Sequence, residues 1–147
     1  MTGTADPFDL SRFVRAQEGV YEEALAEIRG GRKRSHWIWF IFPQIAGLGV
    51  SSTSQHYADE AQAYLQHPVL GPRLIECSEA LLAVQGRSAH NVFGSPDDMK
   101  VRSCATLFEL VAPNDSVFSK VLERYYRGER DERTLRLLAL PAGREKR

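Results

Sequence analysis

Apolar residues recur at intervals of three and four along almost the whole chain, and no convincing alternating run interrupts them. That pattern constrains the fold more than any other feature. Side chains spaced this way share one face of an α-helix, whereas a half-buried strand needs a period of two. Leu10, Phe13, Val14 and Gln17 form one such face, and Val20, Tyr21, Ala24, Leu25 and Ile28 form another. Val101, Cys104, Ala105, Phe108 and Val111 form a third; Val117, Phe118, Val121, Leu122 and Tyr125 form a fourth. The punctuation agrees. Gly30-Gly31 and Gly128 stand just past helical stripes, and Pro113 follows another. Asp6-Pro7, Ser95-Pro96-Asp97-Asp98, Asn114 or Asp115, and Asp131 stand where helices should start, and Ser35 is placed to cap a short one. The expected fold is all-α: one compact domain, 1–147, of about six to eight short helices in an orthogonal, bundle-like arrangement. Residues 1–5 and 141–147 read as flexible tails.

Composition narrows the function classes. The 147 residues are 43% hydrophobic and 26% charged, which suits one globular domain with a core of its own. Nineteen basic residues balance nineteen acidic ones, which argues against a nucleic-acid coat. Met1 to Asp9 is polar and acidic, unlike a signal peptide, and the apolar run Trp37 to Pro43 is far too short to span a bilayer. A cytoplasmic protein with no membrane partner is expected. Cys77 and Cys104 sit in apolar helical stretches and read as buried, reduced thiols. The histidines (His36, His56, His67 and His90) show no ligand spacing such as HExxH, so no metal centre is expected; the cofactor is left unassigned.

The least ordinary stretch is R-K-R-S-H-W-I-W-F-I-F-P-Q, residues 32–44. A histidine beside two indoles suits a pocket for a flat ring, with His36 as acid or base; the plain alternative is a set of core aromatics. Arg32-Lys33-Arg34 suits a phosphate, although such a cluster is more often a solvated helix end. Gly47-Leu48-Gly49 with Ser51 to Ser54 lacks the lysine and spacing of a P-loop. Asp97, Lys100, Ser103 and Thr106 fall on one polar helical stripe, with Asp97–Lys100 and Asp98–Arg102 at pairing distance. In His67-Pro68-x-Leu70-Gly71-x-Arg73, Arg73 suits an anion clamp, while His67 reads as a cap.

Four blocks are more specific together than any of these alone: K-R-S-H-W-I-W-F-I-F-P-Q, G-L-G, A-Y-L-Q-H-P-V-L-G-P-R-L and V-F-G-S-P-D-D-M-K-V-R-S-C-A-T-L-F. In order and spacing they resemble the bacterial domain-of-unknown-function family numbered eighteen-ten, whose members are often labelled "calpastatin". The resemblance runs from Asp6 to Leu135 and implies a single, mainly α-helical domain. It implies no established activity, cofactor or catalytic residue, and the calpastatin label suits a disordered repeat protein rather than this chain. After Tyr57 the family usually continues a few residues further before its acidic pair, here Asp59-Glu60.

These blocks single out His36, Trp37, Trp39, Gln44, Tyr57, Arg73, Lys100 and Ser103 as polar or amphipathic members of apolar segments. The first functional expectation is a small-molecule site, with enzymatic use of a nucleotide-like or ADP-ribose-like anion as its sharper form. His36 is then the catalytic residue and the other seven bind the ligand, with Arg73 or Lys100 as the anion clamp. The rival is a non-enzymatic module that docks a protein or peptide on an apolar groove.

Overall fold

A computed structural model describes residues 6, 8–44 and 54–139 of the chain. The expected tails, and the Gly47-Leu48-Gly49 loop with Ser51 to Thr53, lie outside the described residues. Among those residues the secondary structure is helical throughout, with no strand. In chain order the helices are α1 (Ser11–Gln17), α2 (Tyr21–Arg29), α3 (Ile38–Ile41), α4 (Ser54–Gln66) and α5 (Leu70–Ala83). There follow α6 (Ala89–Phe93), α7 (Asp97–Val111), α8 (Val117–Tyr126) and α9 (Glu132–Ala139). That is one more than the upper expectation. Helix α4 runs without a break through Tyr57 and the Asp59-Glu60 pair.

The caps show where local chemistry decided the boundaries and where it did not. Asp6 accepts from the backbone N–H of Leu10 and Ser11 (2.8 and 3.1 Å), which closes the turn leading into α1 rather than starting the helix itself. The Ser88 hydroxyl and Asn91 side chain form a reciprocal capping box on α6. Ser116, not Asn114 or Asp115, caps α8 through the Ser119 N–H. Asp131 accepts from the Thr134 N–H and hydroxyl at 2.9 and 2.6 Å, as its place before α9 suggests. Ser35 does not cap α3. Its hydroxyl is taken by Glu27 on α2, and α3 starts later, after Trp37.

Helices α5 and α7 are the two central pieces. Helix α7 packs on α4 and α8; α5 packs on α2, α4 and α8; short α3 touches both α5 and α7. The apolar stripes meet in one core. A chain of rings crosses it, with Phe13 edge-on to Tyr64 at 5.3 Å, Tyr64 against Phe108 at 5.5 Å and Phe108 against Phe118 at 5.6 Å. A second aromatic group, Trp37, Phe42 and Phe93, ties the 37–42 segment to α6. Offset and edge-on contacts of this kind add roughly 0.5–1.5 kcal/mol each beyond the area they bury. Gly71 lets α5 cross the end of α4: a Cβ there would lie 1.9 Å from the Leu65 carbonyl oxygen.

Cys77 and Cys104 are both free and buried. Burial pushes the Cys77 thiol up to about 12 and the Cys104 thiol well above its usual value, since neither can ionise without water. No described helix is long and apolar enough to cross a membrane.

Candidate functional site

The segment between α2 and α3 builds the site. After Gly31, held at φ +80°, the chain runs irregularly and its side chains alternate in direction. Arg32, Arg34 and His36 are exposed; Lys33 and Ser35 turn inward and Trp37 is buried. The basic triplet is therefore split. Arg32 and Arg34 border a shallow depression beside Glu23 and Glu27, while the Lys33 side chain is only 9% exposed.

Two anchors fix this segment. The Lys33 N–H donates to the Val92 carbonyl at 2.6 Å, tying it to α6. The Glu27 carboxylate on α2 takes the rest. Its Oε1 accepts from the Arg34 N–H (2.7 Å), the Ser35 N–H (3.0 Å) and the Trp37 indole Nε1–H (2.8 Å), and its Oε2 accepts from the Ser35 hydroxyl (2.6 Å). Burial pushes this carboxyl up, but hydrogen bonds from Ser35, Arg34 and Trp37 outweigh it and hold it at about 2. Nothing in the sequence spacing marks Glu27, because its partners lie in the next segment rather than on its own helix.

The segment then forms one wall of a cavity of about 250 Å³, lined by Lys33, His36, Trp37, Ile38, Trp39, Phe40, Asp97 and Lys100. Helix α7 supplies the opposite wall. The Lys33 ammonium stands 5.3 Å from the centre of the Trp37 ring and 2.9 Å from Asp97 Oδ2. The Lys100 ammonium stands 4.7 Å from the centre of the Trp39 ring and 3.5 Å from Asp97 Oδ1. Each cation thus lies near one indole, and one carboxylate bridges the two. Trp39 is 47% exposed, uncommon for so large an apolar side chain, so much of its ring is open to solvent.

Of the eight residues singled out by sequence, the cavity brings together four: His36, Trp37, Trp39 and Lys100. The other four lie elsewhere. Arg73 points into a different network, donating to Gln17 Oε1 at 3.1 Å and standing 4.8 Å from the centre of the Tyr21 ring. Gln44 donates to the Phe42 carbonyl at 3.3 Å, and Ser103 donates to the Met99 carbonyl at 3.3 Å. Tyr57 is half-buried on α4, packed against the core. Sequence reasoning missed Glu27 and the inward turn of Lys33. It paired Asp97 with Lys100, which the structure has, and Asp98 with Arg102, which it does not: Arg102 faces Glu129 and Asp131 at 3.9 and 4.0 Å. His67 closes the turn leading into α5 rather than capping the helix itself, its Nδ1 accepting from the Val69 and Leu70 N–H groups.

Fold and site together define a small all-α domain with a cationic, aromatic-walled cavity between the 32–40 segment and α7. The chain belongs to the family described as "Protein of unknown function (DUF1810)", which it matches over residues 7–138. It is similar to the conserved hypothetical protein Rv1873 from Mycobacterium tuberculosis, known from a crystal structure, with 51% sequence identity and a TM-score of 0.83. That match covers 92% of this chain and 99% of the other. Comparison with curated proteins finds no match. Neither matching name states an activity, and neither carries the word calpastatin.

Proposed function

We propose that the cavity binds a small anionic ligand carrying a flat ring. One observation carries this reading: Lys33 and Lys100 converge on Asp97 beside the half-exposed indole of Trp39. Two cations against one carboxylate leave a local excess of positive charge, and an exposed indole is a stacking surface for a ring. The volume, about 250 Å³, falls below the roughly 300–1,000 Å³ of common ligand pockets. That favours a ligand of one flat base and one anionic group, the size of a mononucleotide or smaller, over a two-part molecule of ADP-ribose length. His36 is the side chain there suited to general acid–base work, and it is the residue on which a catalytic role would rest.

The test is a tryptophan-fluorescence and thermal-shift titration against mononucleotides, aromatic carboxylates and sugar phosphates. A ligand at a hundred times its Kd adds about 2.7 kcal/mol. Ring-bearing anions are expected to raise the melting temperature and quench the fluorescence, with binding weakened at least tenfold by Trp39→Ala and by Lys100→Ala. A flat screen, or binding indifferent to both variants, refutes the reading.

A separate observation favours the rival module. An apolar groove of about 230 Å³ lies between α4, α7 and α9, lined by Ala58, Leu107, Leu110, Val111 and Leu138, and Leu110 is 52% exposed. Such a groove suits an apolar peptide side chain. Loss of a bound peptide on Leu110→Lys, with Trp39→Ala silent, would favour it.

A further inference from the structure

We propose that Asp97 sets the charge the cavity accepts, restricting it to ring-bearing ligands whose anionic group carries a single negative charge. The inference rests on the binding reading above and adds the ligand's charge state.

The argument is one of charge counting at close range. Lys33 and Lys100 bring two positive charges to the cavity, and Asp97 already occupies the space between them, at 2.9 and 3.5 Å. Its carboxylate is the internal counter-ion of both, and the three groups together carry one net positive charge. All three side chains are largely shielded: 9% of Lys33, 19% of Asp97 and 26% of Lys100 is exposed. Charges so placed are screened much less by salt than surface ones. A singly charged group, such as a phosphodiester or carboxylate, brings the set to neutrality. A doubly charged group, such as a terminal phosphate monoester above its second pKa near 6, gains at most twice the attraction to this set but loses about four times the hydration, because desolvation grows with the square of the charge, and its second charge is left close to the Asp97 carboxylate. The second charge is therefore penalised by the residue that anchors the two cations.

A matched pair of probes isolates the charge: adenosine 3′,5′-cyclic monophosphate has the ring and one charge, and adenosine 5′-monophosphate has the same ring and close to two at pH 7.5. Fluorescence titration of the full chain at fixed ionic strength gives both Kd values. The expected result is at least a tenfold preference for the cyclic ester in the wild type. Asp97→Asn should abolish or reverse that preference, with Asp97→Ser as the second variant and near-UV circular dichroism as the check on folding. Asp97→Asn combined with Lys100→Gln, which restores one net positive charge, should bring the preference back. Equal binding of the two nucleotides by the wild type, or a ratio unchanged in Asp97→Asn and Asp97→Ser, overturns the charge assignment and leaves the binding reading standing. If neither nucleotide perturbs the wild type or the Asp97 variants, the charge assignment falls; the binding reading falls with it only if the wider screen of ring-bearing anions is flat as well.

Discussion

Glu27→Gln removes the charge from a carboxylate that accepts four hydrogen bonds. The four hydrogen bonds it accepts hold the 34–37 turn, and with it His36 and Trp37, against α2. Its pKa falls from 4.5 to about 2 on folding, against the opposing effect of burial. At 1.36 kcal/mol per pH unit, that difference corresponds to about 3 kcal/mol of stability. The folded pKa is depressed, so the contribution is complete above pH 4.5 and is lost as pH falls toward 2. Glutamine keeps one acceptor oxygen but replaces the other with a donor and removes the charge. Solvent around the half-buried carboxylate trims the figure, so the variant should be about 2–3 kcal/mol less stable at pH 7. For a domain of this size that is on the order of 10 °C in melting temperature. Urea unfolding of both proteins across pH 3–7 provides the assay. The gap should narrow by about 2 kcal/mol between pH 7 and pH 3, because the wild type gives up its advantage as Glu27 protonates. A gap below about 0.5 kcal/mol at pH 7, or one that does not change with pH, refutes the reasoning.

Glu60 is buried, and desolvation raises its carboxyl to about 7 despite the opposing Arg12 guanidinium at 3.4 Å. A raised acid stabilises the fold below pH 4.5 and loses that contribution as pH rises through 7, by at most about 3 kcal/mol; Glu60→Gln should flatten this limb in urea titrations between pH 4.5 and 8. Gly71→Ala drives a methyl group into the Leu65 carbonyl, so α4 and α5 must separate; a loss of about 3 kcal/mol or more in thermal melts is expected, at the upper end for overpacking. Phe108→Ala opens the ring chain between α4 and α8 and should cost about 3–5 kcal/mol by the same measurement. Cys77 and Cys104 should resist a thiol reagent in the native protein and react at once in denaturant, because both thiols are buried and held in the neutral form.

Much of the fold was legible in the sequence because helices are local. The stripes of α1, α2, α7 and α8, the glycine stop after Arg29, the Asp131 cap and the buried thiols depend on neighbours three or four residues away, and spacing reports such neighbours. Helix starts were less legible where two candidates competed. Ser35 had the chemistry of a cap, but Glu27 on the preceding helix took its hydroxyl, so α3 begins after Trp37 instead.

Four of the eight residues singled out by sequence line one cavity, and the division has a physical cause. Spacing along the chain shows which residues carry chemistry within each segment: an imidazole and two indoles in one, an acid and a lysine three apart in another. Packing of the helices sets α7 against the 32–40 segment, and so brings Lys33 and Lys100 to the two oxygens of Asp97. It equally decided that Arg73, on α5, meets Gln17 and Tyr21 rather than the cavity. Spacing fixes what shares a helical face. Which faces meet is fixed by the burial of the core, and that depends on every helix at once.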